Sequence, residues 1–325
     1  MFTRRLAFRV AAVVAGGAVA LALLAALDVY AHARLAKYAA LNVWGYRGPV
    51  AARKKPGEWR LVVAGGSTVL GLGLPWDQAF PALLERGLRR SDPAVSVINL
   101  GFDGENARAF AAVLSDYAYL DYDAAILYEG YNNLVPNAPG PLRERSLVFR
   151  LTGYYPVLPT AIREKVLLWR YHGDLAAAYR DQPVFRGERP GGADADAVAD
   201  AVRRHIGPHG GQARASSPHE WDIYLAGVDE AVRYARAHGK PVLVVTQPYI
   251  SDRHEAQQAA LRAWLGEWTA KDPCVQYADL GSTVDLTNRA LAYDGMHLTL
   301  AGNDIVASAL ADPVVRLRRA SCAPR

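Results

Sequence analysis

Short runs of apolar residues recur along this chain, separated by stretches with the spacing of amphipathic helices. Four runs are apolar on both faces, and a weaker fifth follows them; they lie at 61–64, 95–100, 124–128, 241–246 and 275–280. Strands with this pattern belong to parallel sheets, because helices cover both sides of the sheet. The pattern predicts a three-layer α/β/α sandwich with a mostly parallel five-stranded sheet.

Two of the intervening helices have recognisable ends. Residues 217–220, Ser-Pro-His-Glu, have the form of a capping box, so a helix is predicted to begin there. Gly239 is expected to end that helix just before the fourth strand. Thr299 is predicted to cap a last helix that extends to about Leu310.

The first part of the chain has a different pattern. Residues 10–27 carry no charge and follow three arginines, which is close to the length needed to cross a bilayer as a helix. We interpret 1–33 as a cytoplasmic stub and transmembrane anchor, with the remainder exported because the positive charge precedes the span. A cleaved signal peptide is the alternative, since Ala31-His32-Ala33 has the small-x-small form of a cleavage site.

The remaining boundaries follow from these elements. The predicted order is a connector at 34–60, the α/β domain at 61–312 and a C-terminal tail at 313–325. Residues 134–216 contain no strand pattern and are predicted to be an insertion over the sheet ends, with one helix near 160–180. Its aromatic residues could line a sugar or acyl site or pack the insertion against the domain; they are Phe149, Tyr154, Tyr155, Trp169, Tyr171, Tyr179 and Phe185.

Charge and cysteine content narrow the function classes. The net charge is +5, but residues 1–60 hold ten Lys/Arg and two Asp/Glu, whereas 61–325 hold 27 and 30. The basic excess lies in the leader, so no nucleic-acid partner is expected. Cys274 and Cys322 are the only cysteines, and the sequence leaves open whether they pair or remain two structural thiols.

One predicted strand ends in a turn that presents a serine. Residues 61–64 run directly into Gly65, Gly66, Ser67 and Thr68. A buried strand that stops at a glycine turn places the next side chain at the carboxyl edge of the sheet. Ser67 is therefore a candidate nucleophile, although the same residues also fit an ordinary turn with a Ser/Thr helix cap.

Three further loops carry the groups that such a serine needs. Asp294 and His297 lie three residues apart before the last helix, so the carboxylate can orient the imidazole that would act as base. Gly104 follows the second strand and Asn132 follows the third, where a backbone N–H and a side-chain amide could hold an oxyanion together with the Ser67 N–H. Each residue taken alone also fits an ordinary loop. His205 and His209 are separated by Gly and Pro, so no metal site is expected from them.

In their order along the chain, Ser67, Gly104, Asn132 and His297 resemble the SGNH (GDSL-like) hydrolase family over about residues 42–311. The sequence Trp-Gly-Tyr-Arg-Gly-Pro at 44–49 is also similar to the lead-in of membrane-anchored bacterial members. There are two departures: Gly66 stands where the family name has Asp, and Asn133 stands where the third block usually ends in Asp.

The resemblance implies a serine esterase with the SGNH/flavodoxin-like fold, no cofactor and no metal. It implies Ser67, Asp294 and His297 as catalytic residues and Ser67, Gly104 and Asn132 as the oxyanion hole. Together with the leader, it predicts a single-pass inner-membrane anchor and a periplasmic domain that acts on O-acyl groups of a saccharide. The alternatives are a lipid esterase or lysophospholipase, an acyltransferase, and a non-catalytic module of a polysaccharide export system.

Overall fold

Five parallel strands form the centre of the fold. The computed structural model describes residues 2–35, 41–128, 130–134, 143, 146–170, 172, 219–320 and 322. The strand order is β2-β1-β3-β4-β5, and the strands are β1 (Trp59–Gly65), β2 (Val95–Asn99), β3 (Ala124–Tyr128), β4 (Val242–Thr246) and β5 (Val275–Asp279). All pairings among these strands are parallel, so the predicted five-stranded α/β architecture is confirmed.

Helices cover both faces of the sheet. The helices of the described residues are, in chain order, α1 (Phe2–Leu35), α2 (Ser67–Leu70), α3 (Phe80–Leu88), α4 (Phe110–Asp116), α5 (Leu147–Thr152), α6 (Leu158–Arg170), α7 (Asp222–Ala237), α8 (Asp252–Lys271) and α9 (Leu300–Arg319). Helix α1 is exposed along its apolar stretch and does not belong to these covering layers. Alternate β1 side chains enter two separate cores: Val62 packs with α4 and α7, whereas Val63 packs with α3 and α9. This double burial explains why the strands read as continuous apolar runs.

Two helix ends differ from the prediction. Helix α7 begins at Asp222 after Trp221, which provides no side-chain cap, and Ser217 and Pro218 lie outside the described residues. Thr299 does cap α9, but the predicted end near Leu310 is wrong because the helix continues to Arg319. Val314 and Leu317 are buried, and burying each such side chain contributes about 1.5–3 kcal/mol. Together they offset the roughly 3 kcal/mol that Pro313 costs inside the helix.

The described part of the predicted insertion comprises α5, α6 and a few isolated residues. The helix expected near 160–180 is α6 in its described portion, and residues 173–216 lie outside the described residues. Phe149 and Tyr155 are buried and share a core cluster with Tyr46 and Tyr117. These two insertion aromatics therefore pack the segment against the domain. Tyr171, Tyr179 and Phe185 lie outside the described residues.

Helix α1 is long and apolar enough to cross a membrane, and it is the one such helix among the described residues. Its end is attached to the domain by two buried side chains. Asp28 accepts hydrogen bonds from the backbone N–H groups of Val157 and Leu158, and His32 contacts the carbonyl oxygen of Tyr155 at 2.7 Å.

A disulfide joins Cys274, just before β5, to Cys322 in the C-terminal tail, with a Cα separation of 5.9 Å. The alternative of two unpaired thiols is therefore wrong. The bond fastens the end of the chain to the edge of the sheet.

Candidate active site

Strand order places the candidate residues around one point. Strand β1 lies between β2 and β3, and its register pairs Val63 with Asn99 on one side and Gly65 with Tyr128 on the other. Strand β3 therefore ends level with β1, and β2 ends two residues earlier at the same edge of the sheet. The chain reverses its direction of winding at β1, and ligands of open α/β sheets bind at such switch points.

Close packing fixes the turn that carries Ser67. A Cβ added to Gly65 would lie 2.2 Å from the Tyr128 carbonyl oxygen, and one added to Gly101 would lie 2.3 Å from the Leu70 nitrogen. Glycine is therefore required at both positions. Gly66 is extended and precedes α2, a single turn that begins at Ser67. The turn and the loop after β2 interlock, so the Ser67 side chain has a fixed position at the sheet edge.

Ser67, His297 and Asp294 form one chain of hydrogen bonds. His297 Nε2 lies 2.8 Å from Ser67 Oγ, and His297 Nδ1 lies 2.6 Å from Asp294 Oδ2. The second carboxylate oxygen, Oδ1, accepts the backbone N–H groups of His297 at 2.7 Å and Met296 at 3.0 Å. The carboxylate is held on both oxygens, and it orients the imidazole toward the serine hydroxyl.

The electrostatic environment of the Ser67–His297–Asp294 hydrogen bonds favours an imidazole that accepts a proton. Burial lowers the pKa of His297, but the Asp294 carboxylate and, further away, Asp103 outweigh burial and raise that pKa above its ordinary value of 6.5. Burial raises the pKa of Asp294, but His297 and the hydrogen bonds to Oδ1 and Oδ2 outweigh it and lower that pKa below its ordinary value. Asp294 therefore stays ionised beside a histidine of increased basicity.

The predicted oxyanion donors lie on the loops that flank Ser67. Gly104 has φ +71, a left-handed backbone conformation that favours glycine. Asn132 Nδ2 donates to the carbonyl oxygen of Glu105 at 2.6 Å. The third strand's loop therefore holds the turn that contains Gly104. Asn133 stands at the position where the family that this sequence resembles usually has Asp. Its side-chain amide oxygen accepts the N–H of Ala107 at 3.0 Å, in the place of a carboxylate oxygen.

Sequence reasoning missed a second carboxylate beside the histidine. Asp103 is partly buried, and its charge acts on His297. Burial raises the pKa of Asp103, and His297 and the Gly104 N–H oppose that rise only in part. The sequence feature that could have pointed to Asp103 is its position directly before Gly104, the candidate oxyanion glycine.

A buried ion pair supports the same loop. Arg143 Nη2 contacts both carboxylate oxygens of Glu105, at 2.7 and 2.8 Å, and both side chains are buried. The guanidinium lies over the rings of Phe102 and Tyr117, at 5.2 and 5.4 Å from their centroids. Arg143 belongs to the predicted insertion, so this pair joins the insertion to the residue that follows Gly104.

Within the described ranges, no group of three or more His, Cys, Asp or Glu side chains is arranged to hold a metal ion. His205 and His209 lie outside those ranges.

The fold and the site together define a doubly wound α/β protein with a Ser-His-Asp hydrogen-bond chain at its switch point, an arrangement suited to nucleophilic catalysis. No protein-family model and no curated protein sequence matches this chain.

Solved structures similar to this chain include three described as ester-cleaving enzymes or lipolytic proteins. A member of the lipolytic G-D-S-L family from Veillonella parvula is 12% identical, with a TM-score of 0.45, covering 80% of this chain and 100% of that one. A lipase/acylhydrolase from Enterococcus faecalis is 12% identical, with a TM-score of 0.43 and coverage of 82% and 98%. An acetylxylan esterase from Geobacillus stearothermophilus is 17% identical, with a TM-score of 0.43 and coverage of 84% and 100%.

Proposed function

We propose that this protein is a serine esterase, and the observation that carries the proposal is the Ser67–His297–Asp294 hydrogen-bond chain. A serine hydroxyl needs a base within hydrogen-bond reach, and the base needs a group that fixes its tautomer and orientation. Both requirements are met by buried side chains, because His297 and Asp294 lie in the loop before α9 within hydrogen-bond reach of Ser67 and of each other.

The reaction proceeds in two steps. Ser67 Oγ attacks the ester carbonyl carbon while His297 Nε2 takes the hydroxyl proton, and His297 then gives this proton to the departing alcohol. An acyl-serine remains. Water attacks it, His297 takes the water proton and returns it to Ser67 Oγ, and the carboxylic acid leaves. Asp294 stays ionised and stabilises the imidazolium in both steps.

The negative oxygen of the tetrahedral intermediate needs donors in place before the reaction. We assign this role to the backbone N–H groups of Ser67 and Gly104 and to the Asn132 amide.

The leader and the disulfide support a location outside the cytoplasm. Helix α1 has the length and composition of a membrane span, and the Cys274–Cys322 bond is typical of an oxidising compartment. We propose a single-pass inner-membrane anchor with the N-terminus in the cytoplasm and the catalytic domain in the periplasm.

The proposed substrate is a short O-acyl group, such as acetyl, on an extracytoplasmic saccharide. Ser67 and His297 are only 6% and 8% exposed, which favours a small acyl group over a long chain. The saccharide part rests on the proposed location, where envelope and secreted polysaccharides occur. A lipid esterase or lysophospholipase is the alternative, and an acyltransferase would pass the same acyl group to a sugar hydroxyl instead of water.

The full-length protein in detergent micelles is expected to hydrolyse p-nitrophenyl acetate with a kcat/KM at least about tenfold above that for the decanoate ester, since eight additional methylenes do not fit a closed site. Steady-state assays on both esters measure the ratio. A ratio in favour of decanoate would support the lipid esterase, and no hydrolysis of either ester would contradict esterase activity. Product analysis with a sugar acceptor present identifies an acyltransferase.

The decrease of kcat/KM on the acid side of the pH profile, its acid limb, is expected to reflect protonation of His297. Catalysis needs the neutral imidazole, so kcat/KM should fall as pH decreases through a His297 pKa that lies above 6.5. Asp103→Asn removes a negative charge that favours the imidazolium, so the limb should move to lower pH. Asp121→Asn, a matched change at an exposed carboxylate, should leave the limb in place. A limb that stays or moves upward in the Asp103 variant would contradict the electrostatic role of this residue.

A further inference from the structure

Two helices of the predicted insertion expose apolar side chains on one face each. On α6, Ile162, Val166 and Trp169 follow helical spacing, and Trp169 is 82% exposed. On α5, Leu147 and Leu151 lie one turn apart, and Leu151 is 76% exposed. We call these five residues the apolar patch. Large apolar side chains in such a group mark an interaction surface rather than ordinary exposed positions.

The chemistry around the apolar patch fits a phospholipid surface. Residues 147–170 contain four basic residues, Arg150, Arg163, Lys165 and Arg170, and a single acidic one, Glu164. The four basic side chains are exposed. Amphipathic helices that lie in the membrane interface combine an apolar face with Lys/Arg and Trp, because basic groups reach lipid phosphates and the indole favours the headgroup level.

The attachment of α1 places the start of α6, one of the two helices that carry the apolar patch, at the end of the proposed span. Asp28 is the first charged residue after the apolar stretch 10–27, so it marks the end of the proposed span. Its carboxylate accepts the N–H groups of Val157 at 3.0 Å and Leu158 at 2.6 Å, and it therefore caps the start of α6. Tyr154 Oη also donates to Asp28, at 2.5 Å.

His32 reinforces this junction one turn further along α1. Its ring nitrogens lie 2.9 Å from the Leu41 carbonyl oxygen and 2.7 Å from the Tyr155 carbonyl oxygen. Both Asp28 and His32 are buried, so the end of α1 is packed into the domain rather than joined to it by a free linker. Helix α6 therefore starts where the proposed span leaves the hydrocarbon.

We propose that the apolar patch inserts into the headgroup and acyl boundary of the bilayer that α1 spans. The domain then has a second membrane contact, which fixes its orientation and the direction in which the Ser67 site opens. This inference rests on the proposed anchor, and it is independent of esterase activity. The partner is a bilayer containing anionic phospholipid, because basic side chains surround the apolar residues.

Nitroxide labels on the full-length protein test the insertion in bilayers of phosphatidylcholine and phosphatidylglycerol. Single cysteines are introduced as Val166→Cys or Trp169→Cys; the native cysteines are paired and do not react. The ratio of label accessibility to oxygen over a nickel chelate is expected to be several-fold higher than at Ile223→Cys, a comparably exposed apolar position on α7. Val14→Cys reports on α1 in the same bilayers.

The possible outcomes test the membrane contact of the apolar patch separately from the proposed membrane anchor α1. A lipid-like ratio at Val14 with nickel access at both patch positions would overturn the membrane contact and leave the anchor. Low accessibility to both reagents at the patch would show that protein covers it, which also overturns the proposal. Nickel access at Val14 would remove the anchor and the membrane contact together, whereas ester hydrolysis in micelles would be unaffected.

Discussion

Ser67→Ala is expected to lower kcat/KM for ester hydrolysis by about 10⁴- to 10⁶-fold, because the nucleophile, base and orienting carboxylate act as a unit. Removal of the hydroxyl prevents formation of the acyl-serine, and the remaining oxyanion donors give only residual catalysis. The Oγ contributes one hydrogen bond, to His297, so the fold should be retained. Steady-state assays of the variant and its thermal unfolding midpoint provide the measurement.

A matched serine and a covalent probe complete this experiment. Ser115 lies exposed on α4, and Ser115→Ala should change neither activity nor the unfolding midpoint. A fluorophosphonate should label the wild-type protein on the peptide that contains Ser67 and should not label that peptide in Ser67→Ala. Retention of most hydrolysis by the variant would remove the assignment. A wild-type protein that stays unlabelled would support the non-catalytic module.

Much of the fold could be predicted because short buried strands and helices have different periods. Parallel strands covered on both faces appear as apolar runs, and every predicted run corresponds to a strand of the observed sheet. The candidate residues could be found because parallel strands end at the same edge. Ser67, Gly104 and Asn132 each follow a strand, so the topology, with β1 between β2 and β3, brings their three loops to one edge of the sheet.

The features that the sequence did not predict depend on contacts between distant segments. Helix α9 extends beyond its expected end because Val314 and Leu317 meet a core that local sequence does not reveal. The pairing of Glu105 with Arg143 joins residues 38 positions apart, and Arg143 lies in a segment with no strand pattern. Asp103 occupies a loop position where many residues are acceptable, so the sequence alone does not indicate that its charge raises the pKa of His297.

Arg143→Met is expected to lower the free energy of unfolding by about 3–5 kcal/mol, because it removes the guanidinium that forms a bidentate ion pair with the buried Glu105 carboxylate. The matched control is Arg233→Met, which breaks an exposed pair with Asp229 and should cost less than about 1 kcal/mol. Urea unfolding of the full-length variants in detergent, followed by tryptophan fluorescence, measures both changes. Equal losses of unfolding free energy in the two variants would contradict the argument that burial of the Arg143–Glu105 pair makes its disruption costly.

The double variant Glu105→Met/Arg143→Met separates stability from the geometry of the site. Removing both charges also removes the buried carboxylate that has lost its Arg143 partner, so part of the lost stability should return. Activity is expected to be low in both variants. The backbone carbonyl of Glu105, which accepts the Asn132 amide, is retained, but the ion pair that holds this loop beside Gly104 is lost. The pair would then be needed to hold two proposed oxyanion donors in place, and kcat is the parameter expected to fall. A double variant with wild-type kcat would show that the ion pair serves the fold alone.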